Sequence, residues 1–308
     1  MKKNPVLIAS AAALIALGLS ACSSPASGGD AAAKPSEKST ECPGGKIRMG
    51  ILPYEDPEKL EPAYKVLAEA LSKKLDCPVE VSITEDYAAE VLAMENDQLE
   101  IAQFGPLGFV FASQRADAIP MVSFGDAQGK PTTYTGGIWV PNDSPIKSLE
   151  DLKGHTLALG SPGSTSGDAL PMSALTDAGI VDEVTADYAG GHPEALLALV
   201  NGTVDAAQIN SQTLATATAK GTFDQTKFRQ VWKSRDIPND PVTVRGNLPK
   251  EFQKAVTDAL LSLDTADVEK VSAFLGVKEA GPLIPVTKET YQPLFDLAKT
   301  MGLTEKDV

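Results

Sequence analysis

From residue 46 onward, strand-length apolar runs alternate with helix-length amphipathic segments. Residues 46–52 (KIRMGIL) read as a strand. Residues 56–75 read as a helix, with Leu60, Tyr64, Leu67, Leu71 and Leu75 near helical spacing and Pro57 in the first turn, where proline is tolerated. A strand at 79–84 (VEVSIT), a helix at 87–96, a strand at 100–104, a helix at 107–115 and a strand at 118–124 follow. Parallel strands need a crossover between them, and a helix is the usual one. This order therefore predicts a mostly parallel sheet with helices on both faces.

A second set of elements begins at a strand over 135–140, which can cross between two lobes. The pattern predicts a short capped helix at 148–154, a strand at 156–159, a helix at 166–178 closed by Gly179 and a short strand at 187–189. A helix at 193–201 is stopped by Gly202, and a strand spans 204–209. Segments 228–234 (FRQVWKS) and 241–245 (PVTVR) lead the chain back to the first lobe, and from Pro249 onward the end reads as helices at 250–263, 266–275 and 291–301. No internal repeat is present. The expectation is an α/β protein of two lobes: 43–134 with 241–308 as lobe 1, and 135–240 as lobe 2. In such sheets the ligand crevice lies at the carboxyl ends of the strands.

The ends and the charge narrow the function. Lys2 and Lys3 precede an apolar run from Val6 to Leu19, too short for the roughly 20 residues of a spanning helix. It reads as a secretory signal over 1–21. The run ends in Leu19-Ser20-Ala21-Cys22, which resembles the lipobox of bacterial lipoproteins and makes Cys22 the lipidated residue. Residues 22–42 then form a tether without large apolar side chains, too poor in burial to offset ordering entropy. That places the folded part outside the cytoplasm, held by lipid on the outer face of the cell membrane. The formal charge of −14 excludes a nucleic-acid surface, because no basic face replaces phosphate counterions. Three Cys and two His leave no Cys/His zinc site, and no cofactor motif is present. Cys42 lies just before the first strand and Cys77 just before the second, so a disulfide is possible if those strands are neighbours; two free thiols are the alternative.

The most informative segment is Gly160-Ser161-Pro162-Gly163-Ser164-Thr165-Ser166-Gly167. It follows a strand and opens a helix, whose first N–H groups are unpaired and carry the positive end of the dipole. An ordinary cap needs one hydroxyl; three in a row can donate to several oxygens of a tetrahedral oxyanion. An esterase elbow would need Ser at the position of Thr165, and a phosphate loop would need a Gly-Lys-Ser/Thr sequence. Gly190-Gly191-His192-Pro193 is a second Gly-flanked helix start, and its His can donate to an anion.

The strings DYAAEVLAMENDQLEIAQFGP, GSTSG, GGHPEALLALVNGTVDAA and WKSRDIPNDPVTVR, in this order between Lys46 and Arg245, resemble the phosphonate/phosphite-binding proteins of ABC importers. The resemblance implies a two-lobed type II periplasmic-binding-protein fold that closes on its ligand, no catalysis, and delivery to a permease and ATPase complex by a monomer. It also implies that Ser164, Thr165 and Ser166 hold a phosphorus oxyanion (phosphonate, phosphite or phosphate), that Tyr87 and Tyr134 donate their phenols to it, and that His192 and Asp240 complete the site. Gln212 stands where relatives that take aminoalkyl phosphonates carry a Glu to pair the ammonium; Gln cannot neutralise that charge. Phe109 stands where many relatives have a Tyr and offers only packing. Trp139 and Trp232 are read as core or hinge packing. The competing readings are a surface phosphoester hydrolase, which needs an activated nucleophile and base, and a sensory ligand-binding module.

Overall fold

The computed structural model describes residues 42–304. The signal over 1–21, Cys22 and the tether up to residue 41 lie outside the described residues. In chain order the elements are β1 (Ile47–Ile51), α1 (Pro57–Leu75), β2 (Val79–Ile83), α2 (Tyr87–Glu95), β3 (Ile101–Gln103), α3 (Pro106–Arg115), β4 (Ile119–Asp126), β5 (Thr133–Tyr134), β6 (Gly136–Pro141), β7 (Thr156–Leu159), α4 (Leu170–Asp177), β8 (Thr185–Tyr188), α5 (His192–Val200), β9 (Ala206–Asn210), α6 (Ser211–Ala219), β10 (Phe228–Lys233), β11 (Ile237–Pro238), β12 (Val242–Val244), α7 (Lys250–Leu261), α8 (Thr265–Phe274), β13 (Ala280–Pro285) and α9 (Gln292–Met301).

Two sheets and a short ribbon organise them. The first sheet runs β13-β4-β12-β3-β1-β2, and the second runs β10-β6-β9-β7-β8. In the first, β1 is parallel to β2 and β3, while β12 and β13 run antiparallel to their neighbours. In the second, β7 is parallel to β8 and β9, and β6 is antiparallel to β9 and β10. Between the sheets, β5 pairs antiparallel with β11, Ile237 opposite Tyr134 and Pro238 opposite Thr133. The chain therefore leaves the first lobe and returns to it side by side, in a two-stranded hinge.

The inner strands β1, β3 and β12 are buried on both faces, which is why they are largely apolar, whereas edge strand β2 alternates with exposed positions. One face packs Leu60, Tyr64, Leu67, Val256 and Val271 from α1, α7 and α8. The other packs Val91, Met94, Phe109, Val110 and Leu294 from α2, α3 and α9. The second sheet is covered likewise, by a cluster around Ile138, Leu157 and Leu175 and one around Trp139, Leu196 and Phe223. Phe109 stands edge-on to Tyr291 and Phe295, and Trp139 edge-on to Phe223, so these rings pack. At the start of the fold, Cys42 and Cys77 form a disulfide that ties the entry of β1 to the entry of β2.

Three readings of the sequence need correction. Residues 228–233 do not return to the first lobe: as β10 they pair with β6, and β12 alone rejoins the first sheet. The tail also holds a strand between the expected helices, because Ala280–Pro285 forms edge strand β13 against β4, an edge being where proline is tolerated. The segment 148–154 holds only a 3-10 turn at Glu150–Leu152. Helix α6 was not evident from the sequence, since SQTLATATA is small and polar and lacks a wide apolar stripe.

Candidate functional site

The carboxyl ends of the parallel strands and the starts of the following helices meet around one cavity. Tyr87 opens α2 behind the cap Asp86, whose side chain accepts from Ala89 N at 2.6 Å. Gly105 caps α3, Ser164 caps the turn that leads into α4, His192 opens α5, and Asn210 caps α6 by accepting from Thr213 N at 2.7 Å. Five helix starts thus face one space, each with first-turn N–H groups outside its own ladder and a positive dipole end. Among the residues lining the cavity are Tyr87, Tyr134, Ser164, Thr165, Ser166, His192, Gln212 and Asp240, all eight singled out from the sequence, together with Leu52, Tyr54, Gly105 and Asn210. The cavity is small: about 10 Å3 is open to the centre of a water-sized sphere.

The loop after β7 is built to present its hydroxyls. Gly163 has φ +77°, and a Cβ on Gly167 would sit 2.9 Å from Ser164 Oγ and 3.1 Å from Gly160 Cα, so both positions require glycine. Gly160 N donates to Gly167 O at 2.8 Å, closing the loop on itself. Asp168 holds the turn by accepting from Gly163 N at 2.9 Å and from the Tyr188 phenol at 2.8 Å. The helix opens with a wide π turn at Thr165–Ala169, and Ser164 Oγ accepts from Gly167 N at 3.1 Å. Thr165 Oγ1 accepts from Leu107 N at 2.9 Å, so a hydroxyl of the second lobe satisfies a first-turn amide of α3 in the first. Accepting leaves the Ser164 and Thr165 hydroxyl protons able to donate, and each lies within reach of a phenol, Ser164 of Tyr87 and Thr165 of Tyr134. Ser166 Oγ lies 3.3 Å from His192 Nε2, while His192 Nδ1 is buried without a partner.

No Lys or Arg lines the cavity. Burial pushes the His192 imidazole down to about 4, so its ring is neutral at physiological pH. Burial, and only secondarily the charge of Asp240, pushes the Tyr54 and Tyr134 phenols up; the Tyr87 phenol rises by burial against an opposing contact with Ser164. All three remain donors. Asp240 itself is pushed up to about 7 by burial, partly opposed by Gln103, whose Nε2 donates to Oδ2 at 3.4 Å. It follows the hinge strand β11, and its backbone carbonyl accepts from Ser123 Oγ at 3.0 Å. Behind it, Glu90 is also raised well above the carboxylate range, by burial and then by Asp240. The cavity therefore offers many neutral donors and one carboxyl poised between protonated and ionised at neutral pH.

Residues 49–291 match the family model of the periplasmic substrate-binding proteins of ABC phosphonate transporters. The chain belongs to this family. It is 31% identical over 241 residues to the phosphate-import protein PhnD of Mycolicibacterium smegmatis, covering 74% of this chain and 72% of that one. It is 29% identical over 231 residues to the phosphonates-binding periplasmic protein of Escherichia coli, covering 73% and 68%. Among solved structures, the binding protein component of an ABC phosphonate transporter from Pseudomonas aeruginosa superposes with a TM-score of 0.72 at 25% identity, covering 83% of this chain and 86% of that one. The two-lobed type II periplasmic-binding-protein fold is thus common to chain and family, and the family's work is extracytoplasmic substrate binding for an ABC importer. Among the described residues no helix is long and apolar enough to cross a membrane.

Four lining residues escaped the sequence reading. Leu52 and Tyr54 follow β1, Gly105 follows β3 and Asn210 ends β9. All lie at the carboxyl ends of parallel strands, and that position was the available signal.

Proposed function

We propose that this member of the family binds a compact phosphorus oxyanion in the cavity between its lobes. The observation that carries the reading is the pairing of a cation-free cradle of hydroxyls and helix starts with a single buried carboxyl, Asp240. Ser164, Thr165, Ser166, Tyr87, Tyr134 and neutral His192 donate to the oxyanion, and the helix dipoles offset its charge. Asp240 shares one proton with the ligand. An ionised carboxylate only accepts, so it fits a ligand that keeps a P–OH; a protonated one donates to a fully ionised ligand oxygen. Sulfate brings no proton, so above neutral pH, where Asp240 is ionised, it meets like-charge repulsion and no donor. The relatives' names differ, one giving phosphate and the other phosphonates, so the name of a ligand does not transfer; the dimensions and proton count of the cavity favour small ligands.

The rest of the reading follows the family's task. The lobes are 43–134 with 241–308, and 135–240, joined at the β5–β11 ribbon. Cys22 carries lipid, and the tether over 22–42 holds a monomer at the outer face of the cell membrane, beside the permease and ATPase that receive the ligand. Labelling with a fatty-acid analogue, lost in Cys22→Ser, tests the anchor.

Titration calorimetry against phosphite, phosphate, hypophosphite, methylphosphonate and sulfate tests the site. Tight binding of at least one phosphorus oxyanion and strong rejection of sulfate at pH 8 are expected. Equal affinity for sulfate and the best phosphorus ligand overturns the reading.

A further inference from the structure

We infer that Gln212 is an interlobe latch that sets the size of ligand over which this protein closes, an inference that rests on the reading of the cavity as a phosphorus-oxyanion site. Gln212 sits on α6 in the second lobe, lines the cavity and is buried. Both hydrogens of its amide are committed away from the ligand space. Nε2 donates to Asn239 Oδ1 at 2.9 Å and to Leu275 O at 3.0 Å. Leu275 ends α8 of the first lobe, and its carbonyl is one that the helix leaves unpaired at its C-terminus. Asn239 is the residue before Asp240 on the returning hinge segment.

The partners are held as firmly as the latch. Asn239 Nδ2 donates to Thr132 Oγ1 at 2.6 Å, which turns Oδ1 toward Gln212. The Asn239 carbonyl accepts from the Tyr291 phenol at 2.9 Å and from Ser123 Oγ at 3.2 Å. Gln212 Oε1 faces Asn210 Nδ2 at 3.4 Å. Gly276, with φ +72°, brings the α8 terminus so close that a Cβ there would lie 3.2 Å from Gln212 Cγ. The amide thus closes one wall of the cavity and joins lobe 2 to lobe 1 and to the hinge. Opening of the cleft separates Nε2 from the Leu275 carbonyl. A ligand arm long enough to reach this wall would have to displace an amide satisfying two buried acceptors, and unpaired buried acceptors are costly. The cleft therefore closes fully only over an oxyanion with no substituent beyond about a methyl group.

Three substitutions separate hydrogen bonding from size. Gln212→Met keeps the volume and removes the donors; methylphosphonate affinity is expected to fall about 10–100-fold, with propylphosphonate still excluded. Gln212→Ala also removes the wall, and the ratio of propylphosphonate to methylphosphonate affinity is expected to rise at least about tenfold. Gln212→Glu sets carboxylate oxygens against the Leu275 and Asn239 oxygens, and is expected to bind methylphosphonate more weakly than Gln212→Met, increasingly so as pH rises. Small-angle scattering of the ligand-free proteins should show all three variants with a larger radius of gyration than the wild type. The inference is overturned if Gln212→Ala leaves the ligand ratio within threefold of wild type, or if Gln212→Glu binds methylphosphonate as the wild type does. If the wild type binds no phosphorus oxyanion, the ligand reading has failed on its own. Scattering then decides the latch, and equal radii for wild type and Gln212→Met reject it.

Discussion

The second lobe's side of the cavity is made of backbone and hydroxyls: three consecutive hydroxyl residues, a neutral imidazole and the starts of three helices. The side made by the first lobe and the hinge is made of buried aromatics and a carboxyl: Tyr54, Tyr87, Tyr134 and Asp240, with Glu90 behind. The difference is electrostatic. The first of these walls favours negative charge without containing a cation, so under the proposed function it alone would accept any oxyanion of the right size. The other adds an acceptor whose ionisation falls at neutral pH, so it reads protons. On the proposed reading affinity and selectivity come from different walls, so each should be alterable with limited effect on the other.

The largest expected effect comes from emptying the hydroxyl wall. Ser164, Thr165 and Ser166 changed together to Ala should cost about two to five decades in affinity, at roughly 1.5–3 kcal/mol per charge-assisted bond with imperfect additivity. Circular dichroism should show the fold kept, and calorimetry giving near-normal affinity would refute the division.

Asp240→Asn addresses the opposite wall, and its sign is set by the carboxyl being raised from 3.8 to about 7. A carboxyl raised by folding favours the folded state while protonated. That contribution is complete below pH 4, declines as pH rises toward 7 and is lost above it. The Asn variant lacks this loss, so the ligand-free protein should gain roughly 2–4 kcal/mol at pH 8 and little at pH 4. Its selectivity against sulfate should relax, and the fall in phosphorus-ligand affinity with alkaline pH should flatten. Melting curves with equal gains at both pH values, or an unchanged sulfate ratio, would break the assignment of proton reading to this wall.

Opening the Cys42–Cys77 disulfide tests whether stability and binding are separable on the first lobe. The bridge spans 35 residues, for which about 2–4 kcal/mol of stability is expected. Cys42→Ser with Cys77→Ser should lower Tm and leave ligand affinity within about twofold, a figure set by the standing of the cavity apart from the bridge. A large loss of affinity at a temperature where the variant is folded would show that the entry of β1 and β2 shapes the site.

The smallest effects are expected from single phenols. Tyr87→Phe and Tyr134→Phe each remove one donor among several and should cost about 1–2 kcal/mol of binding, near tenfold, with the sulfate ratio unchanged. A change in that ratio would mean that a phenol, and not Asp240 alone, discriminates between ligands.

Much of this was legible in the chain. Local patterns mark β1, α1, β2 and α5 within a residue or two, because apolar periodicity and capping act over a few positions. The hydroxyl run between Gly163 and Gly167 marks a helix start by itself, since the glycines, the cap and the dipole are all local. Other features depend on segments far apart in sequence. Edge strand β13 exists only because β4 offers an open side, and β10 belongs to the second sheet only because β6 is there to pair with it. Thr165 meets Leu107 across the cleft, and Gln212 meets Leu275 across it. The poise of Asp240 is likewise invisible in the string IPNDP, where a turn residue looks the same. Sequence determines which groups can donate and where helices begin; desolvation and cross-lobe pairing, which arise only when distant segments pack and exclude water, decide which of those groups are charged and which are already taken.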